Sequence, residues 1–444
     1  MAFFAAYAPD AGHGFIKDDF RWIRETRLES PGDAVRLLGR TDGFYRPLVS
    51  LTFSLNSAAG GLAPRAYGLT NVALAIAAAV LVWCLARRLG LRHDAALLAA
   101  GAWAFNFHGI NMAVLWVSGR TALVVTIGAL LTGLATVAGR AWLAGFFCLL
   151  ALLSKEEAVL LPAAMIAWCA YDADGTLVQR MASALRRTWP CFAALAVYLV
   201  LRMQTDAFWP ADAPTYYRLS FSPATLAANV LQYADRALTW PLVAALVVLA
   251  AAARRPILDE VERRAILFGA IWLACTFALT IFVPVRSSLY AVLPSVGSAI
   301  AAGAIASAAM RAESRRTRRA IAALVILPFL LIPIYWRRNE RWVRLADLST
   351  AVIEQVRTIA AREPGKQIVI VDNTAERFNL EAAFGSLWPD AAALFLPPAA
   401  AVEIANEPKQ PRTPDAVTLR LEGGRLVPIE RQVFSTGGAA SAVR

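Results

Sequence analysis

The stretch YGLTNVALAIAAAVLVWCLARRLG (residues 67–90) is almost free of charge until it ends at Arg87 and Arg88. An apolar run of this length is typical of a helix that crosses a lipid bilayer, and arginines commonly mark its cytoplasmic end. Similar runs recur up to about residue 336. Of the 444 residues, 58% are hydrophobic and 17% are charged, against roughly a quarter charged in an average globular domain. The sequence therefore predicts an integral membrane protein.

The apolar runs define about ten membrane spans, separated by short connections that are rich in arginine. A soluble protein of this length has no core large enough to bury so many runs, so lipid must be their solvent. The predicted spans are 65–89, 95–117, 120–139, 141–153, 157–171, 189–203, 237–253, 265–283, 289–309 and 320–336.

The basic residues of the connections predict the orientation. Sixteen arginines lie in one alternate set, at Arg140 and in 87–92, 180–187, 254–264 and 311–319. The other set holds six basic residues, namely Arg120, Lys155, Arg202, Arg218, Arg236 and Arg286. The richer set is expected in the cytoplasm. We therefore expect the N-terminal loop and the C-terminal part to face away from the cytoplasm. In the bacterial plasma membrane, the location that we expect, this side is the periplasm. The net charge of +12 follows from this membrane pattern rather than from nucleic-acid binding.

Residues 141–171 are apolar except near Ser154-Lys155-Glu156-Glu157. A single helix would place three charges near the middle of the bilayer, at about 2.5–3.5 kcal/mol each. It would also put Arg140 and Arg180 on opposite sides. We therefore expect two short helices that meet at an outward-facing turn in a recessed, hydrated part of the protein.

Three domains are predicted: an outer loop (1–64), a transmembrane domain (65–336) and a small soluble α/β domain (337–444). In the loop, FRWIRETRL (20–28) and LVSLTFSLNSAAGG (48–61) have the pattern of amphipathic helices at a membrane surface. In the C-terminal part we predict helices at 345–363 and 375–388. We predict strands at 366–373 and 392–398, and a hairpin about Gly423-Gly424.

The candidate functional residues lie at the outer ends of spans. The adjacent carboxylates Asp18 and Asp19 suit a general base or a divalent-cation site, or simply the start of a solvated helix. Lys155 and Glu156 are charges at a turn within the membrane region, or a salt bridge that holds it. Arg286 suits a lipid phosphate or a snorkelling anchor. His108 is a ligand, a base or a structural histidine. The five cysteines lack metal-ligand or disulfide spacing.

The order of five motifs resembles membrane glycosyltransferases of the GT-C fold, in particular the protein O-mannosyltransferase-like branch. These motifs are GFIKDDF (14–20), YRPLVSLTFSLN (45–56), FHGINMAVLWVSGRTAL (107–123), LLSKEEAVLLP (152–162) and SLYAVLPSVGSAIAAG (288–303). The tetratricopeptide-containing membrane O-mannosyltransferases and their bacterial relatives are similar, although no such repeats follow here.

The resemblance implies transfer of a sugar from a polyprenyl-phosphate donor to a glycan, lipid or protein acceptor on the outer face, with inversion. Asp18 or Asp19 would be the catalytic base or a metal-site carboxylate. Lys155 and Arg286 would bind the donor phosphate, and Glu156 and His108 would bind acceptor or metal.

The sequence departs from this family at three places. The family has a membrane span before the acidic loop, so we expect either a start upstream of Met1 or loss of that helix. The family's His-Pro motif reads His108-Gly109 here, and 110–117 contains no carboxylate. The α/β tail replaces the repeats. A transporter or flippase for a lipid-linked sugar, or a catalytically degenerate scaffold, are therefore the alternatives.

Overall fold

The computed structural model describes residues 1–28, 30, 32–33, 37, 44–205, 207, 217–252, 256–311, 314–372, 376–398, 400–405 and 416–429. The chain forms two compact units. The first, here called the membrane unit, comprises Met1–His13 and Glu25–Val343. The second, the C-terminal unit, comprises Gly14–Arg24 and Arg344–Arg444. Residues 14–24, which sequence analysis placed in the first outer loop, thus pack with the C-terminal part of the chain.

The membrane unit is built from helices, as the sequence predicted. Among the described residues they are Ala2–Tyr7, Pro47–Gly60, Pro64–Arg88, His93–Ala104, Ile110–Leu115, Arg120–Val137, Ala141–Leu152, Leu161–Asp172, Leu177–Met203, Pro223–Ala251, Glu260–Phe277, Ser295–Met310 and Arg315–Leu330. The helices Asp18–Thr26 and Ile332–Arg362 contribute residues to both units.

Six helical segments in the described part of the chain are long and apolar enough to cross a membrane. They are Pro64–Arg88, Val117–Val137, Leu177–Met203, Pro223–Ala251, Glu260–Phe282 and Ser288–Met310. The pair Arg315–Leu330 and Ile332–Arg362, bent by 42°, makes a seventh if it is counted as one span. The protein is therefore a polytopic helical membrane protein, with fewer full-length spans than the ten predicted.

The difference lies in three predicted spans that are short or broken. The predicted span 95–117 is interrupted between His93–Ala104 and Ile110–Leu115, where Gly109 has a φ of 94°. The helices Ala141–Leu152 and Leu161–Asp172 have 12 residues each. Twelve residues reach only about 18 Å at 1.5 Å per residue, against about 30 Å of hydrocarbon. The paired short helices therefore agree with the predicted turn.

The helix Ser295–Met310 forms the centre of the membrane unit because its side chains are small. Its sequence SVGSAIAAGAIASAAM is buried along almost its entire length. A Cβ added to Gly269 would lie 2.3 Å from the Gly297 carbonyl oxygen, and one added to Gly297 would lie 2.2 Å from that of Gly269. The two backbones thus meet without side chains between them, as is common where membrane helices pack closely.

Arg120, the arginine of the WVSGR motif, is fully buried. Its guanidinium donates to Asn71 Oδ1 (3.1 Å), Asn56 Oδ1 (2.6 Å) and the Tyr67 carbonyl (3.1 Å). The Phe53 ring lies 4.2 Å from Arg120 Cζ. Arg120 therefore joins the helices Pro47–Gly60 and Pro64–Arg88 to the start of its own helix.

Asn71 extends this network. Its side-chain amide nitrogen lies within hydrogen-bond distance of four backbone carbonyl oxygens, those of Ala113, Val114, Trp116 and Val117. Ala113 and Val114 lie in the last turn of the short helix Ile110–Leu115, whose carbonyls have no partner within the helix, and Trp116 and Val117 follow it directly. The motif residues Asn71 and Arg120 thus hold an irregular piece of backbone inside the protein.

The C-terminal unit contains a four-stranded sheet in the order β2-β1-β3-β4. The strands are β1 (Ile368–Val371), β2 (Val402–Ala405), β3 (Val417–Glu422) and β4 (Arg425–Pro428). The first strand is parallel to both β2 and β3, and β3 and β4 form an antiparallel hairpin. The small α/β architecture, the strand at 366–373 and the hairpin about Gly423-Gly424 are confirmed.

The predicted strand at 392–398 is wrong. Residues Trp388–Phe395 form a helix with Pro389 in its first turn, a position where a proline favours helix initiation. A short, continuous apolar run such as residues 392–396 does not distinguish a buried strand from a buried helix. The predicted helix at 375–388 is represented by the shorter helix Leu380–Phe384 and the turn that follows it.

Candidate active site

The turn between the two short helices brings charged side chains into the interior of the membrane unit, where Lys155 and Glu157 are buried. The helix Ala141–Leu152 ends before Ser154, Lys155 is extended (φ −165°, ψ 143°), and a 3-10 turn spans Glu156–Leu160. Pro162 then lies in the first turn of the next helix. This confirms the predicted SKEE turn.

Glu156 is held by Arg46, the arginine of the YRPL motif. Arg46 Nη2 donates to Glu156 Oε1 at 2.6 Å and Arg46 Nε to Oε2 at 3.1 Å, so the pair is bidentate. The Arg46 guanidinium also lies 4.2 Å from the Phe44 ring. Burial opposes ionisation, but the charge and hydrogen bonds of Arg46 outweigh it and lower the pKa of Glu156 to about 2.

The Arg46–Glu156 pair gives a pH signature. A glutamate titrates near 4.3 in an unfolded chain, so the stability from this pair is complete above that pH and is lost as pH falls towards 2. We expect Glu156→Gln to lower the melting temperature by the same amount from pH 5 to pH 7.5, and by progressively less below pH 4. The exposed Glu260→Gln serves as the control. A deficit that already shrinks at pH 6 would contradict this ionisation state.

Lys155 and Glu157 form a more deeply buried ion pair beside the first. Their side chains are in contact and are 4% and 2% exposed. Burial raises the pKa of Glu157, although the Lys155 charge opposes this shift. Neither group completes a well-aligned hydrogen bond within the described residues. The Lys155 ammonium lies 4.8 Å from the centre of the Tyr290 ring, within cation–π range.

The aromatic contact continues from Tyr290 to a second cation. The Tyr290 and Tyr233 rings are 6.3 Å apart, and Arg236 Cζ lies 5.8 Å from the Tyr233 ring. Arg236 Nη2 donates to Gln232 Oε1 at 3.2 Å. Its Nη1 is buried and finds no hydrogen-bond acceptor in the described part of the chain. Lys155, Tyr290, Tyr233 and Arg236 therefore form a continuous series, here called the cation–tyrosine series.

Arg236 and Arg46 are the residues that sequence reasoning missed as site candidates. Arg236 belonged to the six basic residues of the sparse, predicted outer set, and Arg46 stands in a motif that carried the resemblance. The sequence shows both of these features. It does not show which of the six basic residues contacts an aromatic side chain, because residue spacing carries no such information.

Arg286 is exposed, and its Nε donates to Asn229 Oδ1 at 2.8 Å. The Asn229 amide in turn donates to the carbonyls of Ile281 (2.7 Å) and Val283 (2.9 Å). Tyr233 Oη reaches the Val285 carbonyl at 3.4 Å. The segment that carries Arg286 is thus fixed beside the cation–tyrosine series.

His108 lies in the break between two helices. Its pKa is lowered chiefly by burial, and the nearby charge of Asp235 opposes this shift. The following Gly109 has a φ of 94°, which proline cannot adopt because its ring fixes φ near −65°. A Cβ at Gly109 would also approach the Ser288 carbonyl oxygen to 2.6 Å. The Gly in place of the family's Pro therefore follows from this chain's own backbone.

Asp18 and Asp19 lie in the C-terminal unit, in the first turn of the helix Asp18–Thr26. Asp18 is exposed, whereas Asp19 is fully buried and its Oδ2 accepts a hydrogen bond from the Ile16 N–H at 3.1 Å. The predicted pair thus has two different environments. Lys155 and Glu156 adjoin in one cluster of the membrane unit, with Arg286 and His108 near Tyr233 and Arg236.

No group of three or more His, Cys, Asp and Glu side chains among the described residues is arranged to hold a metal ion. Asp18 supplies an exposed carboxylate and Asp19 a buried one. A divalent-cation role for these two residues stays a prediction.

Comparison with known proteins finds a sequence relative, although no family model matches the chain. The chain is 34% identical over 176 residues to the protein O-mannosyl-transferase Tmtc1 of Drosophila melanogaster. Over this stretch it is similar to an O-mannosyltransferase. This confirms the resemblance that the motifs indicated, but the match covers 35% of this chain and only about a fifth (20%) of the relative.

Three solved structures are also similar. ArnT from Cupriavidus metallidurans in the apo state has a TM-score of 0.43 and 15% identity, covering 81% of this chain and 70% of that one. ArnT bound to undecaprenyl phosphate has a TM-score of 0.43 and 14% identity, covering 82% and 71%. The arabinofuranosyltransferase AftD from Mycobacteria has a TM-score of 0.47 and 15% identity, covering 90% and 30%. Similarities at this level do not assign a ligand.

Proposed function

We propose that the protein is a membrane glycosyltransferase that moves a sugar from a polyprenyl-phosphate donor to an acceptor hydroxyl on the extracytoplasmic face. The observation that carries the proposal is the cation–tyrosine series, in which Lys155 and Arg236 flank two tyrosine rings inside a helical membrane unit. Charges within a membrane protein usually mark a substrate path. The sequence relative supports the same class of reaction.

The buried Nη1 of Arg236 supports an anionic ligand. A guanidinium nitrogen out of water loses free energy unless it meets an acceptor, and a phosphate oxygen is a strong one. Lys155 would supply the second positive charge. The ion pair with Glu157 and the contact with the Tyr290 ring hold the Lys155 ammonium in place within the protein. The exposed Arg286, fixed by Asn229 beside the series, would add a further cation for an anionic ligand.

The reaction is then a single displacement at the anomeric carbon. A carboxylate takes the proton of the acceptor hydroxyl, and the oxygen forms the new bond to that carbon. The bond between the anomeric carbon and the phosphate oxygen breaks, and the polyprenyl phosphate leaves with the electron pair. The cations stabilise the negative charge that develops on the leaving oxygen. One displacement inverts the anomeric configuration.

We assign the base to Asp18 rather than Asp19. Asp18 is exposed, so an acceptor hydroxyl can reach it. The Asp19 carboxylate is buried and accepts a hydrogen bond from the Ile16 N–H. Asp19 would instead fix the start of the helix that bears Asp18. Glu156 is committed to Arg46, so its role would be to hold the turn that carries Lys155.

The role of Arg236 is tested by Arg236→Gln, with the exposed Arg218→Gln as matched control. A hydrogen bond to a charged group contributes about 1.5–3 kcal/mol, or about 10- to 150-fold in affinity. We expect the donor KM, and the Kd for polyprenyl phosphate alone, to rise by that factor in Arg236→Gln. Arg218→Gln should be unchanged. Equal donor affinity in the two variants would remove Arg236 from the phosphate site.

A further inference from the structure

Residues 18–24 of the helix Asp18–Thr26, with Asp18 among them, belong to the C-terminal unit. The helix has nine residues, and isolated helices shorter than about 12–15 residues are marginal in water. Its conformation must therefore come from packing. Within the C-terminal unit, Gly14–Arg24 packs on residues of Arg344–Arg444.

Aromatic packing fixes one face of this helix. The Phe20 ring stacks on Phe384 at 5.6 Å and meets Phe395 edge-on at 6.3 Å. Phe15, just before the helix, lies 6.4 Å from Phe395. Phe15, Phe20 and Phe384 are all buried. Such ring pairs contribute about 0.5–1.5 kcal/mol each beyond the burial of their area.

The backbone before the helix is fixed as well. Lys17 has a φ of 49°, in the left-handed region that few residues other than glycine adopt, and its N–H donates to the Ala383 carbonyl at 2.8 Å. A Cβ added to Gly14 would lie 2.1 Å from Thr350 Oγ1 and 2.9 Å from the Ala346 carbonyl oxygen. The turn that leads into Asp18 is thus formed against the C-terminal unit.

A buried carboxylate pairs with two arginines of the same helix. Asp390 is 5% exposed at its side chain, and its oxygens lie 2.9 Å from Arg24 Nη2 and 3.7 Å from Arg21 Nε. The two arginines are about half exposed. Removing the partners of a buried charge is costly, because the charge is left away from water. The orientation of the helix about its axis therefore depends on Asp390.

We infer that the C-terminal unit positions the catalytic base, and that Asp390 is a positioning residue that acts through Arg24 and Arg21. The inference rests on the proposed function, in which Asp18 accepts the proton of the acceptor. Asp390 itself touches no substrate. Rotation of a base by a fraction of a turn removes it from hydrogen-bond reach, and a misplacement of about 1 Å can cost about 100-fold in rate.

The test uses the full chain in detergent or nanodiscs and compares Arg24→Gln, Arg24→Lys and Asp390→Asn with wild type. We expect Arg24→Gln and Asp390→Asn to lower kcat by about 10- to 100-fold, with the donor KM unchanged. Arg24→Lys keeps the charge and should recover most of kcat. Arg24→Gln leaves the buried Asp390 without one of its two arginines, so its melting temperature should fall. The rate constant kcat is therefore measured at a temperature at which every variant is fully folded.

The matched control is Glu354→Gln, which removes the carboxylate of an exposed ion pair with Arg357 in the same unit. It should leave kcat and KM unchanged. Wild-type kcat in Arg24→Gln and Asp390→Asn, beside an inactive Asp18→Asn, would overturn the inference and leave the proposed function standing. A raised donor KM with normal kcat would also overturn it. Full activity of Asp18→Asn would instead overturn the proposed function.

Discussion

Asp18→Asn is expected to lower the rate of sugar transfer by about 10²- to 10⁴-fold, the usual contribution of a general base. The change removes the proton acceptor and keeps the shape of the side chain, and Asp18 is exposed in the first turn of its helix. Donor affinity should remain normal, since the residues proposed to bind phosphate are unchanged. The measurement is single-turnover transfer at saturating donor, with donor binding determined separately.

Asp19→Asn is the matched control for this prediction. Its amide oxygen still accepts the hydrogen bond from the Ile16 N–H, so the turn is kept while the charge is lost. We expect a smaller loss of kcat than for Asp18→Asn. If Asp19→Asn were inactive and Asp18→Asn active, the base would be Asp19. If both variants turned over at the wild-type rate, neither carboxylate would be the base.

Arg120→Met is expected to have the largest effect on stability. It removes a buried guanidinium and leaves Asn71 Oδ1, Asn56 Oδ1 and the Tyr67 carbonyl without their charged donor. Breaking a buried charged network of this kind costs about 3–5 kcal/mol. The methionine retains part of the side-chain volume, so most of the loss should come from the unpaired polar groups. The measurement is the melting temperature, or the denaturant midpoint, of the purified protein.

Arg140→Met is the control for Arg120→Met, because Arg140 is an exposed arginine directly before the helix Ala141–Leu152. It should change stability by less than about 0.5 kcal/mol. Equal melting temperatures for the two variants would show that the Arg120 network contributes little. A protein that melts early but keeps its donor affinity at low temperature would show that Arg120 is structural and not part of the site.

The sequence was most informative where charge interrupts apolar runs. Lys155 and Glu156 stand out because, with Glu157, they put three charges into a 31-residue apolar stretch. A straight helix would hold these charges at mid-bilayer, and the structure has the predicted turn there. The break in the predicted span 95–117 was not visible in the sequence. Hydropathy reports apolar composition, but not the break at Gly109, whose positive φ depends on local packing.

The site partners were beyond prediction because they depend on contacts that are distant in the sequence. Arg46 and Glu156 are 110 residues apart, and no local pattern pairs them. Arg120 stood in a recognisable motif, but only its burial shows that it binds other helices rather than a ligand. The packing of residues 14–24 on residues 344–444 was likewise unpredictable, because no pattern near Asp18 in the sequence indicates a contact with Asp390.

The most direct test of the central claim is transfer by the purified protein in liposomes, with a panel of polyprenyl-phosphate sugars and a hydroxyl acceptor outside. We predict a glycosylated acceptor of inverted anomeric configuration and release of polyprenyl phosphate, both abolished by Asp18→Asn. Movement of the intact sugar lipid across the bilayer with no glycosylated product would contradict the account and favour a flippase. Absence of both transfer and donor binding with every donor would favour a degenerate scaffold.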